Sequence, residues 1–143
     1  MARTTIELPS TFSFTTLIPV RITDLNYGGH VGNDSILTLM HEGRIQFLAH
    51  HGFSEQDFAG TGMIMGDVSI VFKGELFYGD MLQISINVSD LARVSFDLVY
   101  KLEKEAGGKI VPVAFAKTGM VCFDYERKKV VSIPEEARNK LMQ

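Results

Sequence analysis

The residues of this sequence that are best suited to chemistry lie close together in segment 24–33. The segment carries a carboxylate at Asp24, an amide at Asn26 and an imidazole at His30, and it precedes a run with helical periodicity. The free N–H groups and the dipole of a helix N-terminus favour a developing negative charge, such as the tetrahedral oxyanion of acyl-group hydrolysis. An imidazole this close to the helix can act on a water molecule or on a leaving group. The pattern predicts a hydrolytic site in which Asp24 and Asn26 orient the water.

The segment joins a predicted strand to a predicted long helix. Apolar residues recur at every second position over residues 12–22, which is typical of a strand with one buried face, and Pro19 favours an edge position or a bulge. Polar residues at 33–35 can cap a helix that runs over residues 33–51. Arg44 falls within the apolar arc of this helix, which indicates either a side chain that extends to water or a buried acidic partner. The apolar arc comprises Ile36, Leu37, Leu39, Met40, Gly43, Phe47 and Leu48.

After Gly62 the hydrophobic period returns to two residues and stays there, which is typical of antiparallel strands. A hairpin turn is predicted at residues 105–109, and Pro134 is placed to start a short C-terminal helix. The sequence predicts one α+β domain over residues 1–143, with an antiparallel sheet wrapped around one long central helix. Dimerisation is a common way to cover the edges of such a sheet. The first run is predicted to place Ile64, Val68, Ile70 and Phe72 on one face.

Composition and charge exclude several classes of function. The net charge is −3, and the charged residues, 22% of the chain, are interspersed without a basic face, so we expect no nucleic-acid partner. No run of 18 apolar residues and no secretory signal are visible, which predicts no membrane association and a cytoplasmic location. His41 and Glu42 begin a zinc-protease pattern, but Ile45 occupies the second histidine position, so no metal site is predicted.

The loop and the helix together resemble the 4-hydroxybenzoyl-CoA thioesterase family of hot-dog proteins and the related plant acyl-carrier-protein thioesterases. Those proteins carry Asp-Leu-Asp, then Gly or Gln, then His-Val-Asn-Asn, then a helix with Glu-x-Arg. This chain has Asp-Leu-Asn at 24–26, His-Val-Gly-Asn at 30–33, Glu-Gly-Arg at 42–44 and the family's Tyr-Gly-Asp turn at 78–80. The resemblance implies a hot-dog fold and hydrolysis of an acyl thioester of coenzyme A or acyl carrier protein. It also implies a homodimer or a dimer of dimers, with no cofactor because coenzyme A is part of the substrate.

The resemblance makes Gly32 and Asn33 the predicted substrate-binding residues, with the backbone N–H of Asn33 as the oxyanion donor. One departure matters, because the family's catalytic carboxylate is the second Asp of its Asp-x-Asp and this chain has Asn26 there. An amide can orient water, but it cannot act as a nucleophile or general base at neutral pH. Three replacements stay open. His30 is one, as a general base with Asn26 orienting the water, and Glu42 is another, placed to reach a substrate from the facing subunit. The third is Asp24, for which capping of the loop is the competing role.

Two other functions are compatible with parts of the motif. The (R)-specific enoyl-CoA hydratases of the same fold use Asp-x-Asn-Pro-x-His, and Asp24 and Asn26 match its first half. However, Tyr27 replaces the proline and His30 falls one residue late. The absence of Asp at position 26 is also compatible with a non-catalytic protein that only binds acyl thioesters.

Overall fold

The computed structural model describes residues 3–142, and it contains six strands and two α-helices in this part of the chain. A single turn of 3-10 helix, Ile22–Asp24, lies between the first strand and the first helix. The strands are β1 (Phe14–Pro19), β2 (Gly62–Phe72), β3 (Met81–Ser89), β4 (Ser95–Ala106), β5 (Lys109–Asp124) and β6 (Lys129–Val130), and the helices are α1 (Asn33–His50) and α2 (Glu135–Leu141).

The strands form one antiparallel sheet in the order β1-β3-β4-β5-β2, and the short β6 pairs with the end of β5 on the side of β4, beyond Ser95. β1 and β2 are therefore the two edge strands of the main sheet. Pro19 lies in β1, an edge strand, as its missing N–H predicts. The antiparallel sheet and the single long helix predicted from the sequence are confirmed.

Helix α1 buries the apolar arc predicted for it, with Leu37 only partly buried at its border. Gly43 lies at the closest approach of α1 to the sheet, where a Cβ atom would be 3.1 Å from Cδ1 of Ile84 in β3. The absence of a side chain lets the helix pack tightly on the sheet, which fixes the position of its N-terminus. Within residues 3–142, no helix combines the length and the apolar character needed to cross a lipid bilayer.

The prediction that Ile64 shares one face of β2 with Val68, Ile70 and Phe72 is wrong. The pairing with β5 shifts by one residue between Met65 and Asp67, which is the register change of a β-bulge. Because side chains alternate between the two faces of a sheet, the extra residue moves every later side chain of β2 to the face opposite to the one that strict alternation predicts. Val68 and Phe72 therefore lie opposite buried residues of β5, whereas Ile64 points to the other face of the sheet.

Arg44 has the acidic partner that its place in the apolar arc suggested, and that partner, Glu55, is partly buried. Its side chain is almost fully buried, and its Nε donates to Glu55 Oε2 at 2.9 Å. Its Nη1 donates to the hydroxyl of Tyr100 at 3.2 Å, which in turn contacts the Thr118 hydroxyl at 2.8 Å. His41 Nε2 lies 2.7 Å from the other Glu55 oxygen. This network ties α1 to the segment after it and to strands β4 and β5.

The network should make the stability of the fold depend on acidic pH. Burial acts to raise the pKa of the Glu55 carboxyl, but hydrogen bonds from His41 and Arg44 outweigh it and hold that pKa below its ordinary value. A carboxyl whose pKa is lower in the folded state stabilises the fold above its unfolded pKa, about 4.3, and loses this contribution as pH falls through the folded pKa. We expect the urea midpoints of the wild type and Glu55→Gln to differ clearly at pH 7 and to converge near pH 3. If the difference between the two urea midpoints stayed the same at both pH values, the pH dependence would not come from the Glu55 carboxyl.

Candidate active site

The segment between β1 and α1 folds back on itself and is joined to the chain that follows β2. The N–H of Asn26 donates to the carbonyl of His30 at 2.9 Å, and the N–H of Gly29 donates to the carbonyl of Asn26 at 3.2 Å. Gly29 has φ of +85°, a conformation that glycine adopts without strain. On the outer side, the N–H of Val31 donates to the carbonyl of Leu76 at 2.9 Å. Backbone hydrogen bonds thus fix the loop on both sides.

The side chains of Asn26 and His30 face one small space above Gly28. A Cβ atom on Gly28 would lie 3.2 Å from Asn26 Oδ1 and 3.6 Å from His30 Nε2. His30 Nδ1 lies 3.2 Å from the carbonyl oxygen of Val31. Because a carbonyl oxygen only accepts hydrogen bonds, Nδ1 carries the proton in this contact and leaves Nε2 to exchange protons. The pair can therefore orient a polar atom and transfer a proton to or from it.

Helix α1 starts beside this pair with a free backbone donor. Gly32 precedes the helix without a side chain to cap it, and its carbonyl accepts hydrogen bonds from the N–H groups of Ser35 and Ile36. The N–H of Asn33 donates to no other group of the described chain. Asn26 Nδ2 approaches the same place, 3.7 Å from where a Cβ on Gly32 would lie. A free N–H at the positive end of a helix is suited to bind an oxyanion.

A depression of about 250 Å³ opens next to these groups. His30 and Asn33 contribute to its wall, together with Glu75 from the segment that follows β2. Phe72, the last residue of β2, is 45% exposed and stands at its rim. The apolar part of the wall is formed by Val31, Ile36, Phe72 and Leu76. The depression thus combines an apolar surface with groups that are chemically suited to proton transfer and to oxyanion binding.

Two of the predicted site residues are held away from this cluster. Asp24 is buried, and its carboxylate accepts hydrogen bonds from the backbone N–H of Arg21 at 2.8 Å and from the Arg21 guanidinium at 3.4 Å. These contacts agree with the capping role considered for Asp24. Glu42 is exposed on α1 and accepts a hydrogen bond from Gln46 Nε2 at 2.9 Å. The carboxylate of Asp24 forms no hydrogen bond with His30, so the acid–base pair required by a hydratase is not assembled.

Comparison with known proteins agrees with this geometry. The family model of the thioesterase-like superfamily matches residues 20–141 of the chain. The chain belongs to that superfamily. A 1,4-dihydroxy-2-naphthoyl-CoA hydrolase from Thermosynechococcus vestitus is 30% identical over 119 residues, which cover 81% of this chain and 80% of that protein. The resemblance deduced from the loop and helix motifs is confirmed.

Solved structures of superfamily members share the fold. A 1,4-dihydroxy-2-naphthoyl-CoA thioesterase from Synechocystis has a TM-score of 0.81 at 20% identity, covering 91% of this chain and 96% of its own. The 4-hydroxybenzoyl-CoA thioesterase from Pseudomonas sp. strain CBS-3 has a TM-score of 0.79 at 18% identity, covering 91% of this chain and 99% of its own. The predicted hot-dog fold is confirmed.

Sequence reasoning identified the loop but missed the far wall of the depression. Phe72 and Leu76 belong to the site through the backbone hydrogen bond between Val31 and Leu76, which joins segments distant in sequence. No spacing in the sequence signals this pairing. The catalytic roles of Asn26 and His30 stay predictions, which the geometry makes specific enough to test.

Proposed function

We propose that this superfamily member hydrolyses the thioester bond of an acyl-CoA with an aromatic acyl group. The proposal rests on one observation above all, the placement of His30 and the free N–H of Asn33 on the wall of the same depression. It is supported by the relative from Thermosynechococcus vestitus, whose name, 1,4-dihydroxy-2-naphthoyl-CoA hydrolase, specifies an aromatic acyl group. No cofactor is proposed beyond the coenzyme A that the substrate carries.

The groups of the site suit the two charged stages of hydrolysis. When water adds to the thioester carbon, the carbonyl oxygen becomes an oxyanion, which the N–H of Asn33 and the α1 dipole stabilise. When the carbon–sulfur bond breaks, the electron pair stays on sulfur, and the thiolate takes a proton. His30 Nε2 exchanges protons in this reaction, and Asn26 orients the water through its amide.

The size and lining of the depression favour a compact aromatic acyl group over a long alkyl chain. A cavity of about 150 Å³ lined by aliphatic and aromatic side chains is sufficient to bind benzene. The depression, at about 250 Å³, therefore has room for one or two fused rings. Phe72 and Ile36 provide flat and branched apolar surface against such rings.

We also propose that two copies of the chain pair through β2. This 11-residue strand is the outer edge of the sheet, and it exposes Met65, Val68 and Phe72 by 39%, 37% and 45%. A long edge strand with apolar side chains is prone to pair with another strand, and closed two-fold dimers are the commonest assembly. Because Phe72 also lines the depression, a partner at this edge would complete the substrate site. Light scattering after gel filtration should give twice the chain mass; a monomer would contradict the pairing.

The function is tested by measuring thiol release from a panel of acyl-CoAs with aromatic, short aliphatic and long aliphatic acyl groups. A thiol-trapping dye reports hydrolysis, and loss of enoyl absorbance from a 2-enoyl-CoA reports hydration in parallel. We expect thiol release, with the highest kcat/KM for the aromatic substrates. Enoyl loss without thiol would instead establish a hydratase. If neither thiol release nor loss of enoyl absorbance is seen, the assignment to coenzyme A esters is contradicted. Acyl-carrier-protein esters are then the substrates to test, and the same dye reports their hydrolysis.

A further inference from the structure

The site described above lacks a carboxylate at Asn26, yet one is present beside it. Asp34 is the second residue of α1, and its side chain turns back toward Gly32. A Cβ atom on Gly32 would lie 2.7 Å from Asp34 Oδ1, closer than a real Cβ could approach. The Asp34 carboxylate therefore occupies the volume that a side chain at position 32 would fill.

The same volume is bordered by the amide of Asn26. Asn26 Nδ2 lies 3.7 Å from the Cβ position of Gly32, and Asn26 Oδ1 lies 3.2 Å from the Cβ position of Gly28. The amide thus extends from the space shared with His30 to the space taken by Asp34. The exposed Asp34 carboxylate therefore borders the same small volume as the amide that replaces the family's catalytic aspartate.

Two departures from the family motif act together at this point. The motif quoted above has Asp at the position of Asn26 and Asn at the position of Gly32. The first change removes a carboxylate, and the second removes the side chain that would exclude Asp34 from this space. We propose that Asp34 is the catalytic carboxylate of this chain, admitted to the site by Gly32. The assignment rests on the proposed thioester hydrolysis and names the base for it.

The proton transfers balance with Asp34 and His30 in separate roles. The Asp34 carboxylate takes one proton from water as the oxygen adds to the thioester carbon, and the N–H of Asn33 holds the oxyanion. The carbon–sulfur bond then breaks with its electron pair on sulfur, and protonated His30 gives its Nε2 proton to the thiolate. Asp34 then loses its proton to solvent, His30 regains one from solvent, and the acid product loses a proton to solvent. The sum is one thioester and one water giving one carboxylate, one thiol and one proton.

A carboxylate in the first turn of a helix also stabilises the helix through its dipole, so the test separates the two roles. Asp34→Asn should lower kcat for the best acyl-CoA by about 10²–10⁴-fold with little change in KM, as expected for loss of a general base. A carboxylate base makes kcat fall at acidic pH, and this fall should be absent in Asp34→Asn. Glu135→Gln removes a carboxylate from the first turn of α2 and is the matched control, with kcat and pH profile unchanged.

A second variant tests whether the missing side chain at position 32 is what admits the Asp34 carboxylate to the site. This variant leaves Asp34 itself unchanged. Gly32→Ala places a methyl group 2.7 Å from the present position of Asp34 Oδ1, too close for the carboxylate to stay there, in a backbone conformation with φ of −75° that alanine adopts readily. We expect a large loss of kcat, and no further loss when Gly32→Ala is added to Asp34→Asn. Full turnover by Asp34→Asn, with the wild type active, would overturn the role of Asp34 and leave the thioesterase assignment standing. A wild type that releases no thiol from any acyl-CoA or acyl-carrier ester would overturn both.

Discussion

Replacing His30 with alanine is expected to lower kcat/KM for thioester hydrolysis by about 10²–10⁴-fold, the usual loss when a positioned acid–base group is removed. The imidazole is positioned by the contact of Nδ1 with the Val31 carbonyl, which leaves Nε2 to transfer protons beside Asn26. His30→Gln keeps a hydrogen-bonding side chain of similar length but cannot transfer a proton at neutral pH. We therefore expect His30→Gln to be almost as inactive as His30→Ala. The measurement is thiol release over a range of substrate concentrations, so that kcat and KM are obtained separately.

The control for His30, which lies just before α1, is a histidine at the far end of that helix. His50 is exposed at the C-terminus of α1, about 25 Å from Asn33 at the rise of an α-helix. His50→Ala should leave kcat/KM within a factor of about two, since surface changes away from a site have small effects. Equal turnover in His30→Ala and His50→Ala would remove His30 from the reaction. A higher KM at unchanged kcat would assign His30 to substrate binding instead.

The part of the site that could be read from the sequence is the part formed by neighbours in the chain. Asn26 and His30 are brought together by a single tight loop, whose backbone hydrogen bond joins those same two residues. The change from a two-residue to a helical period located the start of α1, and with it the free N–H of Asn33. Such local features depend on sequence spacing alone.

The rest of the site depends on contacts between distant segments. The bulge at residues 65–67 has no hydrophobic signature, yet it decides which face of β2 carries Val68 and Phe72. The far wall of the depression depends on the backbone hydrogen bond from Val31 to Leu76, and the types of these two residues do not predict that they pair. Arg44 in an apolar arc did signal an acidic partner, but the turn that follows α1 determines that Glu55 is that partner.

The ion pair between the buried Arg44 of α1 and the partly buried Glu55 gives the largest expected effect on stability. Arg44→Met should lower the free energy of unfolding by about 3–5 kcal/mol, the cost of leaving one member of a buried pair without its partner. The lower end of the range applies here, because the Glu55 side chain is 22% exposed and keeps its contact with His41. Arg127→Met is the matched control: its side chain is 73% exposed, and its pair with Asp124, which is itself 30% exposed, spans 3.8 Å. Loss of such an exposed pair should change the free energy of unfolding far less than Arg44→Met does.

A double-mutant cycle identifies the source of that loss. In Arg44→Met combined with Glu55→Gln, neither a positive nor a negative charge is left unpaired in the network, so the double variant should be more stable than the sum of the single changes predicts. The coupling energy from urea unfolding should reach about 0.5–3 kcal/mol, the range for residues in one salt-bridge network. Additivity of the two changes would mean that Arg44 acts through its packing and its bond to Tyr100. Because α1 carries both Arg44 and the proposed oxyanion donor Asn33, the same variants should also lose thioesterase activity at lower temperatures than the wild type.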